Sequence, residues 1–472
     1  MSTLPRGWTS AKVSALGKVQ LGRQRSPEHH SGDNMRPYLR VANVFEDRID
    51  TSDVLSMNFT PEEYERYALR DGDILLNEGQ SRELVGRPAI YRSEFPGACF
   101  QNTLIRFQAG PALLPEFALA VFRHYLHTGK FAAISKWTTS IAHLGAERFA
   151  ALELPVPPLG EQRRIVAKLN ALFARIRAAK SSLERVLKLL EGLRKAVLSA
   201  AFRGDFHEKF TLVKSGHKQS TAWQCLPLSK FSRSGRPVVK AGPFGSALKK
   251  SQYVSAGYKV YGQEQVIADD FVVGDYYISE ALFQKLSSCD VQPGDVLISL
   301  VGTFGKVAVV PSRVQPGIIN PRLIRISVDG DRLNPEFLAL YLRSPHVQND
   351  WAAAAHGGTM GILNSKHLLE LLVPAPEMAV QRALVAFVNR FNARVDALFR
   401  RLNAAKSRSD ELEHASLAAA FCGALVPQDP SDEPASVLLE RINAEREAPQ
   451  PMKSKRGART SAPTRTRASK GA

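Results

Sequence analysis

A chain of 472 residues with 44% hydrophobic and 23% charged residues has the balance of a folded protein and the length for more than one core, which excludes a disordered chain. Its 63 Lys and Arg against 45 Asp and Glu leave a net charge of +18. That excess favours polyanionic partners, nucleic acid first and anionic membrane second, although solubility alone would also account for it. No run of 18 apolar residues occurs and the start MSTLPRGWTSAKV has no signal-type apolar core, so a cytoplasmic protein without membrane insertion is expected.

Residues 1 to about 150 carry short apolar runs, such as AIYR (Ala89 to Arg92) and TLIRF (Thr103 to Phe107), separated by Gly, Pro and Asp. These are strand signals of a mixed α/β domain, with a helix interspersed at PEFALAVFRHYL, opened by Pro115 in its first turn. Polar, basic and aromatic residues cluster in three segments: RPYLRVANV with Arg36, Tyr38, Arg40 and Asn43, NEGQSREL with Gln80 and Arg82, and SKWTTS with Lys136, Thr138 and Thr139. Side chains of these types address base edges and phosphates, but each residue taken singly also suits a turn or a cap.

The segment LPVPPLGEQRRIVAKL (Leu154 to Leu169) begins with prolines that fix an extended entry, and a long helix should follow. Apolar residues then recur at alternating steps of four and three: Ile165, Leu169, Leu172, Ile176, Ala179, Leu183, Val186, Leu190, Leu193 and Val197. That is the seam of a coiled coil, which needs a partner helix to cover it. Gly204 stands where a C-terminal glycine stop belongs.

From 206 to 370 strand signals return in GDVLISL and KVAVVP, with a second helix at PEFLALYLRS. The candidate contact residues here are Phe244, Ser246, Lys249 and Lys250 in AGPFGSALKK, Tyr261 and Gln263 in YGQEQ, Thr303 and Lys306 in GTFGK, and Thr359 in HGGTMG. A second proline-led helix follows at LVPAPEMAVQRALVAFV, with the seam Leu384, Val388, Phe391, Val395, Leu398, Leu402, Ala405, Ser409, Leu412 and Ser416, and with Gly423 as its stop. After Leu425, SDEPASVLLERINAER predicts one short helix, and the basic stretch from Gln450 to Ala472 is expected to be disordered. Its seven charges are less than half of the +18, so the basic excess is not confined to the tail.

The two halves are copies. A shift of 219 residues carries Pro155 to Pro374, Gln162 to Gln381, Arg163 to Arg382 and Phe202 to Phe421, and weaker echoes (TLIRF with RLIRI, GDILL with GDVLI, PEFALA with PEFLAL) extend the match backward. Nearly the whole chain is one unit of roughly 210 residues used twice, far too long for a solenoid repeat.

Signatures of catalysis are missing from the sequence. GTFGKVA is not a phosphate loop, because Leu300 and Val307 stand where glycine and Ser or Thr are needed, and NPEF (Asn334 to Phe337) has Glu336 in place of the central proline of an amino-methyltransferase motif. His29 and His30 have no second ligand pair at metal spacing, the cysteines Cys99, Cys225, Cys289 and Cys422 form no CxxC, and neither HExxH, GxSxG nor a strand-linked GxGxxG occurs. No catalytic, cofactor-binding or metal-binding residue is assigned.

These motifs resemble the specificity subunits of type I restriction-modification systems, HsdS. The likeness covers residues 1 to about 425 and is most specific in the paired Pro-x-Pro-x(4)-Gln-Arg segments, each leading into a heptad helix that ends in AAF-x-Gly. It implies a mixed α/β fold in which two tandem target recognition domains, 1–152 and 206–371, are separated by two helical spacers, 153–205 and 372–425, that pair as an antiparallel coiled coil, with a C-terminal extension at 426–472. Each domain would read one half of a bipartite duplex DNA target. The helices would set the gap and dock two modification (methyltransferase) subunits, with restriction subunits joining for cleavage. The docking and spacer set is Gln162, Arg163, Leu169, Ile176, Leu183, Leu190, Gln381, Arg382, Val388, Val395 and Leu402. S-adenosylmethionine would belong to the methyltransferase partner, and this chain would be non-catalytic. The sequence departs from the family at Val380, opposite Glu161 of the first copy, and in the basic tail. Two other readings stay open: a nuclease with an unrecognised site, and a coiled-coil scaffold that does not read DNA.

Overall fold

The computed structural model describes residues 4–138, 140–203, 223–244, 247–300, 305–356 and 365–447. The chain divides into two compact units, Met1–Lys180 with Ser407–Ala472, and Ser181–Lys406, so both unit boundaries fall inside long helices. Among the described residues no helix is long and apolar enough to cross a membrane.

The two units share a topology. In the first, an antiparallel sheet has the order Gly17–Leu21, Leu104–Ala109, Ile74–Asn77, Pro88–Ile90; in the second the order is Val239–Ala241, Leu323–Ile326, Val296–Ser299, Val307–Val309. Each unit has a further sheet containing one parallel pair. Met35–Leu39 runs antiparallel to Leu55–Asn58 and parallel to Cys99–Phe100, while Tyr258–Tyr261 runs antiparallel to Tyr277–Ile278 and parallel to Gly317–Ile319. The repeated Gly-Asp that opens a central strand has a physical reason: Gly72 (φ +88°) and Gly294 (φ +81°) turn through the left-handed region, which side chains with a Cβ avoid.

Central strands covered on both faces read as continuous apolar runs, yet Leu104–Ala109 and Leu323–Ile326 each carry one arginine. Arg106 and Arg325, 3% and 1% exposed, are equivalent by the 219 shift. Arg106 donates to Gln20 Oε1 (2.7 Å) and the Ala68 carbonyl (2.8 Å) and approaches Asp73 at 3.5 Å; Arg325 donates to the Asp290 carboxylate at 2.8 Å. Acceptors for the terminal guanidinium nitrogens make such charges tolerable inside a core, although the Nε of each arginine is buried without a partner.

Two helices of 45 and 44 residues, Leu159–Arg203 and Met378–Phe421, follow the proline segments. Each is fastened at its start by a buried glutamine. Gln162 Oε1 accepts from the Leu114 amide (2.9 Å), and its Nε2 donates to the carbonyls of Ala112 (2.9 Å) and Pro157 (3.0 Å). Gln381 does the same with Asn334 N (2.8 Å), Arg332 O (3.3 Å) and Pro376 O (2.9 Å). Both are 0% exposed, so these two glutamines are internal fasteners and not the docking groups the sequence suggested.

The helices pair in opposite directions. In the first unit Lys180 meets Asp410 (2.6 Å) and Glu413 (3.1 Å); in the second Glu184 meets Lys406 (2.9 Å) and Arg194 meets Asp396. Each unit therefore contains the start of one helix and the end of the other. Phe421 packs on Phe117 of the first unit (5.7 Å between ring centres), and Phe202 packs on Phe337 of the second (5.3 Å), which explains the repeated Ala-Ala-Phe. Gly423, at φ +73°, ends the second helix as expected, whereas Gly204 lies outside the described residues.

The seam is covered only in part. Ile165, Leu169, Ile176, Leu384, Val388 and Val395 are buried, but Ala179, Val186, Leu193, Leu398 and Leu412 are exposed, as is Leu189 at 71%. The buried positions also pack on the core of their own unit, while Leu172, Leu183, Leu190, Val197, Phe391 and Leu402 are half-buried along the stripes. A final helix, Ala435–Glu447, returns to the first unit: Ala435 N donates to Gly7 O (3.0 Å), and Asp432 pairs with Arg164 at 2.7 Å. Gly160 leaves room for it, since a Cβ there would lie 2.2 Å from Asp432 Oδ1. The basic stretch from Gln450 lies outside the described residues.

Candidate nucleic-acid interface

In the first unit a small three-stranded sheet brings two distant segments together. Ala142–His143 pairs antiparallel with Lys136–Trp137 on one side and with Gly79–Gln80 on the other. A tight return follows Trp137, with Thr138 N and Oγ1 both donating to Ile141 O at 3.0 Å. Trp137, Ala142 and Gln80 are paired in one row and share a face, whereas Lys136 and His143 share the other; Gln80 is half-buried, and Lys136, Thr138 and the nearby Arg82 are exposed. The sheet is held from behind by His143, whose Nδ1 lies 2.9 Å from Glu78 Oε2, and by Arg148, which donates to the His143 carbonyl at 2.7 Å.

The RPYLRVANV segment behaves differently. Arg36 is exposed, its guanidinium 4.6 Å above the Tyr64 ring, and Arg40 is held to Asp53 at 2.5 Å. Tyr38 and Asn43, only 1% and 2% exposed, are core residues and a correction to the expected contacts. Asn43 uses its amide on the Asp50 and Asp53 carbonyls (both 2.9 Å) and accepts from Arg40 N (3.0 Å), so its hydrogen-bonding capacity is spent in shaping the turn.

In the second unit Phe244, Lys249, Lys250 and Lys306 are exposed, Phe244 at 73%, and Gln263 is half-buried at the start of the helix Gln263–Ala268. Tyr261 is fully buried; its hydroxyl donates to Gln315 O at 2.6 Å, and burial pushes its pKa up to about 12. It is a core group and cannot meet a duplex. Thr139, Ser246, Thr303 and Thr359 lie outside the described residues.

On the helices Arg163 and Arg382 are exposed, and Leu183, Leu190 and Leu402 are half-buried. Glu161 accepts from Trp8 Nε1 at 3.0 Å; burial pushes its carboxyl up, against the pull of that hydrogen bond and of Arg164. Val380, buried at the equivalent place, needs no such partner.

Two features were missed in the sequence. Trp137 is half-exposed beside the candidate contacts; its signal was a large aromatic in the otherwise polar SKWTTS. A charge network joins Glu46 to Arg123 (2.8 Å) and His127 (2.8 Å), and Arg123 to Glu413 (2.5 Å), with the His127 and His414 rings 4.1 Å apart. Burial raises the Glu46 carboxyl, but the His127 hydrogen bond and the Arg123 charge overrule it and hold it at about 2. Its members span Glu46 to His414, and no local motif announces it. Among the described residues no group of three or more His, Cys, Asp or Glu is placed to hold a metal ion.

Known proteins place this architecture. The chain is 25% identical over 471 residues to the type I restriction enzyme EcoKI specificity subunit of Escherichia coli K12, covering 94% of this chain and 97% of that one. It is 28% identical over 352 residues to the EcoBI specificity subunit of Escherichia coli, covering 69% and 72%. A chain from a solved type I R-M system shares the fold with a TM-score of 0.68 at 22% identity, covering 90% of this chain and all of that one. The HsdS subunit from Thermoanaerobacter tengcongensis gives 0.54 at 22% identity over 90% of this chain and 98% of that one. Residues 5–188 and 245–406 match the type I restriction modification DNA specificity domain, and the chain belongs to that family.

Proposed function

We propose that this chain is the DNA sequence-recognition subunit of a type I restriction-modification complex, itself non-catalytic, with adenine methylation and cleavage carried by partner subunits. The observation that carries this reading is the duplication of one recognition fold, each copy completed by the start of one long helix and the end of the other. Two similar reading domains on a helical spacer suit a target with two specified words and an unspecified gap. In the first unit Arg36, Arg40, Gln80, Arg82, Lys136 and Thr138, and in the second Phe244, Lys249, Lys250, Gln263 and Lys306, are the described groups able to meet the duplex. Lysines and arginines supply salt-sensitive phosphate attraction, and amide and hydroxyl groups choose bases.

Exposed helix residues of each unit, Leu412 and Arg163 in the first and Val186, Leu189, Leu193, Leu398 and Arg382 in the second, would meet the two methyltransferase subunits, which would bring S-adenosylmethionine. Restriction subunits would join that core.

The test is co-expression with the methyltransferase subunit and mapping of methylated adenines in host DNA. A bipartite motif that disappears when this chain is deleted supports the reading; unchanged methylation overturns it. A one-turn insertion in either long helix should lengthen the gap and leave both words intact.

A further inference from the structure

Trp137 keeps half of its surface in water, at 50% exposed, and its hairpin neighbour Ile141 keeps 44%. An indole buries on the order of 150–250 Å² when it is used in a core, so this one contributes little to packing the first unit. It is nevertheless held in place. Its strand is paired through Ala142, the return is closed by both donors of Thr138, and the Arg82 guanidinium lies 5.6 Å from the ring centre. A cation over one side of the indole fixes the ring and leaves the rest of it available. The surroundings are cationic and hydrogen-bonding: Arg82 is exposed over the ring, Gln80 shares the Trp137 face through Ala142, and Lys136 is exposed on the other face of the same edge strand. An aromatic face among cations and an amide is the composition that meets stacked bases; a protein-docking patch would be expected to be apolar at its centre.

We propose that Trp137, backed by Arg82 and flanked by Ile141, is a wedge side chain that enters the duplex at a base step of the half-site read by the first unit and stacks on an exposed base. This rests on the DNA-recognition reading above and adds to it a residue that acts through stacking and deformation of the duplex. A wedge reads how readily a step opens, so it favours flexible steps such as pyrimidine–purine over stiff ones. Gln80, Lys136 and Thr138 would then hold the backbone and base edges beside the opened step.

The experiment uses the complex with the methyltransferase subunit, in wild-type, Trp137→Ala and Trp137→Phe forms. The methylated motif is first mapped with the wild type. Binding is then measured on a duplex carrying that motif and on a scrambled one, with 2-aminopurine placed in turn at the bases of each half-site. The expected result is a fluorescence rise at one step of one half-site with wild type and not with Trp137→Ala, and motif binding weakened on the order of 10-fold or more by Trp137→Ala. Scrambled binding should change little, and Trp137→Phe should recover most of the loss. Equal affinities for Trp137→Ala and wild type, or equal weakening on motif and scrambled DNA, overturn the proposal. So does loss of subunit assembly with DNA preference intact, which would make the surface a protein interface. If the wild type directs no bipartite methylation, the recognition reading itself fails before any variant is compared, and the wedge fails with it.

Discussion

Gln162 and Gln381, 219 positions apart, close the same set of three hydrogen bonds: one accepted from the amide that precedes the Pro-Glu-Phe helix and two donated to carbonyls on either side of the junction. Each glutamine ties the start of a long helix to the recognition domain before it. The side chain satisfies three main-chain groups at once in a fully buried position, which a shorter or charged residue does not do.

Gln162→Ala should therefore destabilise the first unit, and Gln381→Ala the second, by about 2–3 kcal/mol each, since buried main-chain groups lose their partners. Denaturant unfolding followed by hydrogen exchange would assign the loss to a unit. Midpoints and exchange indistinguishable from wild type would contradict the fastener role.

Ion pairs of the two helices should differ in worth according to burial. The Arg123 side chain is 8% exposed and faces Glu46, Asp47 and Glu413, so Arg123→Ala takes the shared cation from three partly exposed carboxylates and should cost about 2 kcal/mol. Lys406→Ala removes an exposed partner of Glu184 and should cost less than about 1 kcal/mol. Thermal melts of the two variants at equal ionic strength would compare them, and similar losses would refute the ranking.

Acid should loosen the same network in a defined window. Glu46 is held near 2 against an ordinary 4.5, so its contribution is complete above about 4.5 and fades as pH falls toward 2. The stability difference between wild type and Glu46→Gln should shrink over that interval. His414 acts in the same sense at higher pH: burial and then the charge of His127 lower its pKa below 6.5, so stability declines as pH drops through the unfolded value. A wild-type to Glu46→Gln difference that stays constant from pH 7 to pH 3 would argue against the assignment.

Phe202→Ala and Phe421→Ala should each cost about 2 kcal/mol, since both rings are partly buried against aromatic partners. The informative outcome is where the loss falls. Phe202 follows the first domain in sequence yet should weaken the second unit, and Phe421 follows the second yet should weaken the first. Hydrogen exchange showing each loss in the preceding domain instead would reject the crossed packing.

The duplication, the two helices and the repeated strands were legible because each leaves a periodic or repeated trace in the residues themselves. Matched segments such as TLIRF and RLIRI occupy equivalent central strands, but the order of strands in the sheets was not legible from them. The contact residues were less legible. Tyr38, Asn43 and Tyr261 sit in polar-looking segments, but their strands and turns are short, and a run of two to five residues does not announce which face is covered. The heptad stripe announced the paired helices but not its second use: Ile165, Leu169 and Ile176 also cover a domain core. Partners hundreds of residues apart, such as Arg123 and Glu413, are set by topology and leave no local sign.

The crossed helix ends also bear on synthesis. The second unit is one continuous stretch, Ser181–Lys406, whereas the first needs Leu417, Ala420, Phe421 and Ala435 to finish its core. On a ribosome the inner unit can close as soon as it emerges, while the domain made first waits, incomplete, for nearly the last residues to leave the tunnel. A prematurely terminated chain would thus carry an exposed aromatic surface on its earliest domain, a built-in mark by which quality control can separate it from the finished protein.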